Sequence, residues 1–296
     1  MVANIYGVSA ALLTPFDVYG EVDVHLMARH AERLLTSGCD GVCVFGTTGE
    51  GPSLSNVDRY KILKTLTRSG IRPNQITVGV AQDSAKSAEE QINQAMTFGI
   101  DKILLAPPHY YKGVDGLGIL DWFRSVLNPF VSVGDKCHLK FILYHIPQVT
   151  GVQINSFMVD VLYNEFPSLI YGVKDSSGSW DDAESFLKLQ DHIAVLNGDE
   201  RLLARAMAEG AEGSITGLAN ILPAEIAKLV STKQENKCIN VLVDTIVSMP
   251  VTPAVKALCA HVNDYDRWHL TRAPLSNLEL EDRQRLVKAF QTCFGD

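Results

Sequence analysis

The stretch 169–178 reads LIYGVKDSSG: five apolar or small residues, Leu169 to Val173, then Lys174, an acidic residue and a Ser/Gly turn. A continuous apolar run of this length, closed by turn residues, is the signature of a strand buried on both faces, as in a parallel sheet. The same grammar recurs along the chain. Strands are predicted at 8–13, 41–45, 76–80, 102–106, 141–144, 170–174, 194–197 and 213–216. Between them lie amphipathic segments with helical spacing, at 24–36, 55–68, 84–98, 118–128, 156–165, 181–189 and 200–209. Asp23 stands where the first of these needs an N-cap. Strand starts recur about every 25–35 residues, the size of a βαβ unit. Eight such units predict a (β/α)8 TIM barrel over residues 1–222. From 223 to 296 the pattern is helical only. One helix there closes the barrel, and the rest, including 251–261 and 279–290, forms a C-terminal helical layer on the same compact unit.

Composition narrows the function. The chain has 296 residues, 46% of them apolar, and a formal net charge of −8, with a pI near 5.5. An acidic balance argues against nucleic acid or an anionic membrane as the default partner. No apolar run reaches the length of a membrane span. The first residues, MVANIYGVSAALLTP, lack a basic leader and read as a core strand, so a cytoplasmic location is expected. Cys39, Cys43, Cys137, Cys238, Cys259 and Cys293 form no CxxC pair and are expected as free thiols. The eight histidines show no HExxH or HxH spacing, so no protein-held metal is expected.

In a barrel of this kind, chemistry resides at the C-terminal ends of the strands. Those ends read FGTTGEG (45–51), LAPPHYYKG (105–113), LYHIPQVTG (143–151), GVKDSSG (172–178), LNGDE (196–200) and SITGLAN (214–220). Burial favours the neutral form of a lysine amine. A neutral ε-amine at Lys174 could condense with a ketone to a Schiff base, whose protonated form accepts electrons from a neighbouring C–C bond. The alternative for Lys174 is a structural ion pair with Asp175 or a carboxylate on an adjacent strand. FGTTGEG offers backbone N–H groups and two hydroxyls to an anion such as a carboxylate, or is a tight turn leading to an N-cap at Ser55. Tyr110, Tyr111 and Tyr144 at the same rim either relay protons or pack. Few fixed cations accompany them, which disfavours a phosphorylated substrate.

Taken together, GTTGE (46–50), PHYYKG (108–113), YHIPQVTG (144–151), GVKDSSG (172–178), NGDE (197–200), ITGLAN (215–220) and PAVKALC (253–259) resemble the N-acetylneuraminate lyase/dihydrodipicolinate synthase family along essentially the whole chain. The resemblance implies class I pyruvate chemistry without a metal or organic cofactor, in a homotetramer built as a dimer of dimers. It implies that Lys174 is the Schiff-base lysine and that Tyr144 hydrogen-bonds substrate and shuttles the proton. It implies that Thr47 and Thr48 bind the pyruvyl carboxylate, that Thr47 joins the proton relay, and that Tyr111 reaches into the neighbouring subunit's site. Gly46, Gly198 and Ile215 would line the pocket, and His145, standing where the family has asparagine, is a candidate pocket donor.

One departure bears on the substrate. The synthases carry an arginine, for the carboxylate of aspartate semialdehyde, where this chain has Val149. A valine cannot make that charge-assisted, bidentate contact. The motifs are closest to the 2-keto-3-deoxygluconate-type aldolases, which have a small apolar residue there. The arginine with which that subgroup accepts a phosphate has no match in Lys112-Gly113-Val114. The expected reaction is therefore reversible cleavage of a non-phosphorylated 2-oxo-3-deoxy sugar acid to pyruvate and an aldehyde. The alternatives are 4-hydroxy-tetrahydrodipicolinate synthase or a keto-deoxy sugar acid dehydratase.

Overall fold

A computed structural model describes residues 6–132 and 139–295; Cys137 lies outside them. Eight parallel strands close a barrel in chain order: β1 (Gly7–Ala11), β2 (Gly41–Val44), β3 (Ile76–Val80), β4 (Lys102–Leu105), β5 (Lys140–His145), β6 (Ile170–Asp175), β7 (Ala194–Asn197) and β8 (Gly213–Thr216), with β8 pairing back onto β1. Among the described residues, each of the first seven strands is followed by a helix of two or more turns: α1 (Val24–Thr36), α2 (Asn56–Arg68), α3 (Ala85–Met96), α4 (Gly116–Leu127), α5 (Ser156–Glu165), α6 (Trp180–Leu187) and α7 (Glu200–Ala208).

Each of these helices starts at a short polar side chain that accepts from a first-turn amide: Asp23, Ser55, Ser84, Asp115, Asn155, Ser179 and Asp199. Such caps satisfy amides that have no partner within the helix. α4 begins two residues before the sequence suggests, because Asp115 caps Gly118. β1 ends two residues early for a comparable reason. The Asn220 side chain donates to Ala11 O at 2.8 Å and accepts from Leu13 N at 3.1 Å, drawing the chain off the sheet.

Two cores result from strand alternation. The larger lies between strands and helices and includes Phe141, Leu143 and Val173. The smaller fills the barrel and includes Ala11, Cys43, Leu104, Ile142, Tyr144, Leu196 and Ile215. Beyond β8 come α8 (Pro223–Thr232), α9 (Lys237–Val247), α10 (Val251–Val262) and α11 (Leu280–Phe294). α8 opens with proline at its first position, where no amide hydrogen bond is lost. None of the helices described is long and apolar enough to cross a membrane.

Candidate active site at the C-terminal mouth of the barrel

Tyr144 and Lys174 are register partners on β5 and β6, and both side chains point into the barrel. The Lys174 ammonium lies 4.3 Å from the centroid of the Tyr144 ring. Lys174 is only 4% exposed, and among the described residues it makes no ion pair. Asp175 cannot serve as its counter-ion, because the next residue along a strand faces the other way. The structural ion pair between Lys174 and Asp175 left open by the sequence is therefore absent.

Gly198 is what allows the lysine to lie there. A Cβ at that position would sit 2.8 Å from Lys174 Cε and would overlap Ser176 Oγ. Ile215, fully buried at the end of β8, and Gly198 line the same cavity of about 190 Å³ as Lys174. Thr47 and Thr48 line the same cavity. A second lobe of about 300 Å³ shares Thr47, Tyr144, Ile146, Val149 and Thr252 with the first. It adds Gly46 and a wall dominated by apolar groups such as Val80, Ala81, Leu104 and Leu275.

The Gly46-Thr47-Thr48 turn is held from several sides. Phe45 adopts φ +63°, which swings the chain sharply out of β2. Gly51 packs so closely beneath it that a Cβ would overlap the Phe45 carbonyl. The Arg59 guanidinium stacks 4.2 Å from the Phe45 ring and donates to Gly79 O at 2.7 Å. From the C-terminal layer, the Thr252 hydroxyl donates to Thr47 O at 3.4 Å. Lys256 on α10 pairs with Glu50 at 2.5 Å, and Arg272 N donates to the other Glu50 oxygen at 2.9 Å.

Three of the expected site residues lie away from the reacting centre or at its edge. His145 does not line either lobe. It follows Tyr144 on the strand and so faces outward, where it is fully buried against Phe186. Its Nδ1 accepts from Ile154 N at 3.3 Å and its Nε2 lies 3.5 Å from Asp182 Oδ2. The expectation that His145 is a pocket donor is corrected accordingly. Tyr111 is 71% exposed on the loop after β4, edge-on to Tyr110, and lines neither lobe of its own chain. Val149, in the one-turn helix Pro147–Thr150, borders both lobes from the mouth.

Sequence reasoning passed over Glu200. Its carboxyl is buried in the wall of the Lys174 lobe, accepting from the Thr216 hydroxyl and from Leu218 N at 3.1 Å. Burial pushes it up to about 7, against the opposing pull of the Lys174 charge. Gln148, Ser176 and Asp199 extend the same polar wall. The NGDE motif contained the signal, since a carboxylate one residue past a helix cap is tied to that rim.

A barrel whose mouth gathers an unpaired lysine, a tyrosine, paired threonine hydroxyls and a buried carboxyl is an enzyme's site. Residues 4–293 match the model of the dihydrodipicolinate synthetase family. The crystal structure of dihydrodipicolinate synthase from Agrobacterium tumefaciens superposes with a TM-score of 0.93 and 41% identity, over 98% of this chain and 99% of that one. A DapA-like lyase from Chloroflexus aurantiacus, itself uncharacterized, is 32% identical over 96% of both chains. A variant of Sulfolobus solfataricus 2-keto-3-deoxygluconate aldolase shares the fold, with a TM-score of 0.81 at 21% identity over 97% and 96% of the chains. The chain belongs to the dihydrodipicolinate synthetase family. It is a carbon–carbon lyase of the class I pyruvate aldolase superfamily.

Proposed function

We propose that the enzyme cleaves a non-phosphorylated 2-oxo-3-deoxy sugar acid reversibly to pyruvate and an aldehyde, through an imine on Lys174. The Lys174 amine attacks the 2-oxo carbon and water leaves, giving a protonated imine. Thr47 and Thr48 hold the adjacent carboxylate. Tyr144 takes the proton of the C4 hydroxyl as the C3–C4 bond breaks. The bonding electrons pass into the imine to form an enamine, and the aldehyde departs. Protonation of C3 and hydrolysis then release pyruvate and restore the amine.

The observation that carries this reading is the polar wall facing Lys174. Gln148 and Ser176 can pair with hydroxyl groups, and the acidic Asp199 and Glu200 disfavour a second carboxylate there. Val149 at the mouth adds no cation. The competing reading, condensation of pyruvate with aspartate semialdehyde, is supported by the name of the Agrobacterium relative. A dehydratase acting on the same imine would release no pyruvate. We further propose a cytoplasmic homotetramer, working without metal or organic cofactor, in which Tyr111 of each subunit completes its neighbour's relay.

Borohydride reduction in the presence of pyruvate is expected to add the mass of the trapped adduct to the peptide carrying Lys174. Persistence of that adduct in Lys174→Ala would overturn the assignment. A panel of 2-oxo acids assayed for pyruvate release decides the substrate. Turnover of pyruvate plus aspartate semialdehyde equal to the best sugar acid would reverse our preference.

A further inference from the structure

α11 packs antiparallel on α9. Arg285 Nη2 donates to Ser248 Oγ at 3.3 Å near one end. One turn further along α11, Ala289 shares a surface cleft with Val241. The next turn brings Cys293 opposite Cys238, and the Cys238 thiol is the side-chain hydrogen-bonding neighbour of Cys293. Both are half-buried, whereas Cys39, Cys43 and Cys259 are buried. Among the described cysteines, these two alone are within reach of solvent and of each other. Both also stand at helix ends, Cys238 second in α9 and Cys293 second from last in α11. End turns yield more readily than helix interiors to the narrow geometry a disulfide demands.

We propose that Cys238 and Cys293 form a dithiol site that a small disulfide oxidant, such as oxidised glutathione, converts to an intramolecular disulfide. The Cys238 thiolate attacks one sulfur of the oxidant and expels the first small thiolate. Deprotonated Cys293 then attacks the Cys238 sulfur of the mixed disulfide and expels the second. Two protein thiols are oxidised, one disulfide is reduced to two thiols, and the protons balance. Burial and the neighbouring Cys238 hold the Cys293 thiol above its ordinary range, so closure accelerates as pH rises and its thiolate accumulates.

The bond would tie the last helix to one whose far end, Val243, Ile246 and Val247, lines the Lys174 lobe. Closing a loop this long removes much freedom from the unfolded chain, so the oxidised protein should melt higher.

The full-length reduced protein is incubated with oxidised glutathione at mildly alkaline pH, then examined by intact mass, non-reducing peptide mapping and thermal melting. The expected result is loss of two hydrogens, one cross-linked peptide joining Cys238 to Cys293, and a Tm higher by roughly 5 °C. All three revert with dithiothreitol and are absent in Cys238→Ser and in Cys293→Ser. Stable glutathione adducts on the separate thiols, a bond from either to Cys137, or no thiol loss would each overturn the proposal.

Discussion

Lys174 and Lys256 are both withdrawn from water, 4% and 0% exposed, and both lie against an aromatic ring, Tyr144 at 4.3 Å and Phe16 at 4.4 Å. Their polar surroundings are opposite. Lys256 is doubly held: Glu50 at 2.5 Å, itself buried, and Thr14 O at 2.8 Å. Lys174 has no such partner among the described residues and faces a cavity. Burying an ion is costly unless it is paired, so the fold meets that cost for Lys256 and leaves Lys174 unpaired. The pairing turns one lysine into a structural tie and its absence leaves the other an available nucleophile. Burial alone does not distinguish a catalytic lysine from a structural one; the partner list does.

Lys174→Ala should break the comparison most sharply. Pyruvate release is expected to fall by at least about three orders of magnitude, while the melting temperature stays within a few degrees of wild type. Lys256→Ala should do the reverse. It strands Glu50 without its counter-charge, for a stability loss of about 3–5 kcal/mol, measurable by denaturant titration. The double variant Lys256→Met with Glu50→Gln should recover part of that loss.

Tyr144→Phe retains the ring beside Lys174 and removes the hydroxyl. Turnover of a 2-oxo-3-deoxy acid should fall by about 10²–10³-fold, with borohydride trapping of pyruvate preserved; loss of trapping as well would assign the hydroxyl to imine formation.

Glu200 gives the pH test. Its folded value is raised from 4.5 to about 7, so the folded state binds the proton more tightly than the unfolded chain. That contribution is present in full below pH 4.5 and is lost as pH rises through about 7, amounting to roughly 3 kcal/mol at about 1.4 kcal/mol per pH unit. Stability of Glu200→Gln should lack this decline between pH 5 and 8; an unchanged profile would show that another group titrates there. The smallest effect concerns selectivity. Val149→Arg should improve use of aspartate semialdehyde by about tenfold relative to a neutral aldehyde, read as a ratio of kcat/KM values.

Much of the barrel was legible because parallel strands are buried on both faces and announce themselves as apolar runs. The predicted strands at 76–80, 194–197 and 213–216 coincide with β3, β7 and β8. Strand ends depend on distant side chains, as Asn220 shows at β1, and local pattern does not carry them. Within the site, the motifs brought Thr47, Thr48, Tyr144, Lys174, Gly198 and Ile215 to one cavity. His145 was misassigned although the needed signal was present: with Tyr144 inward, the two-residue strand period turns His145 outward. Glu200 and the contributions of α9 and α10 were harder to read, because a helix far along the chain reveals nothing local about which strand end it covers.

The ties between Glu50 and Lys256 and between Glu50 and Arg272 N, 206 and 222 positions apart in the chain, also have a temporal consequence. During synthesis, the turn that holds Thr47 leaves the ribosome 206 residues ahead of the Lys256 ammonium and 222 ahead of the Arg272 amide that anchor it. A nascent barrel can thus pair its first strands long before it can finish its binding turn. Catalytic competence therefore waits on the helical layer that follows the barrel.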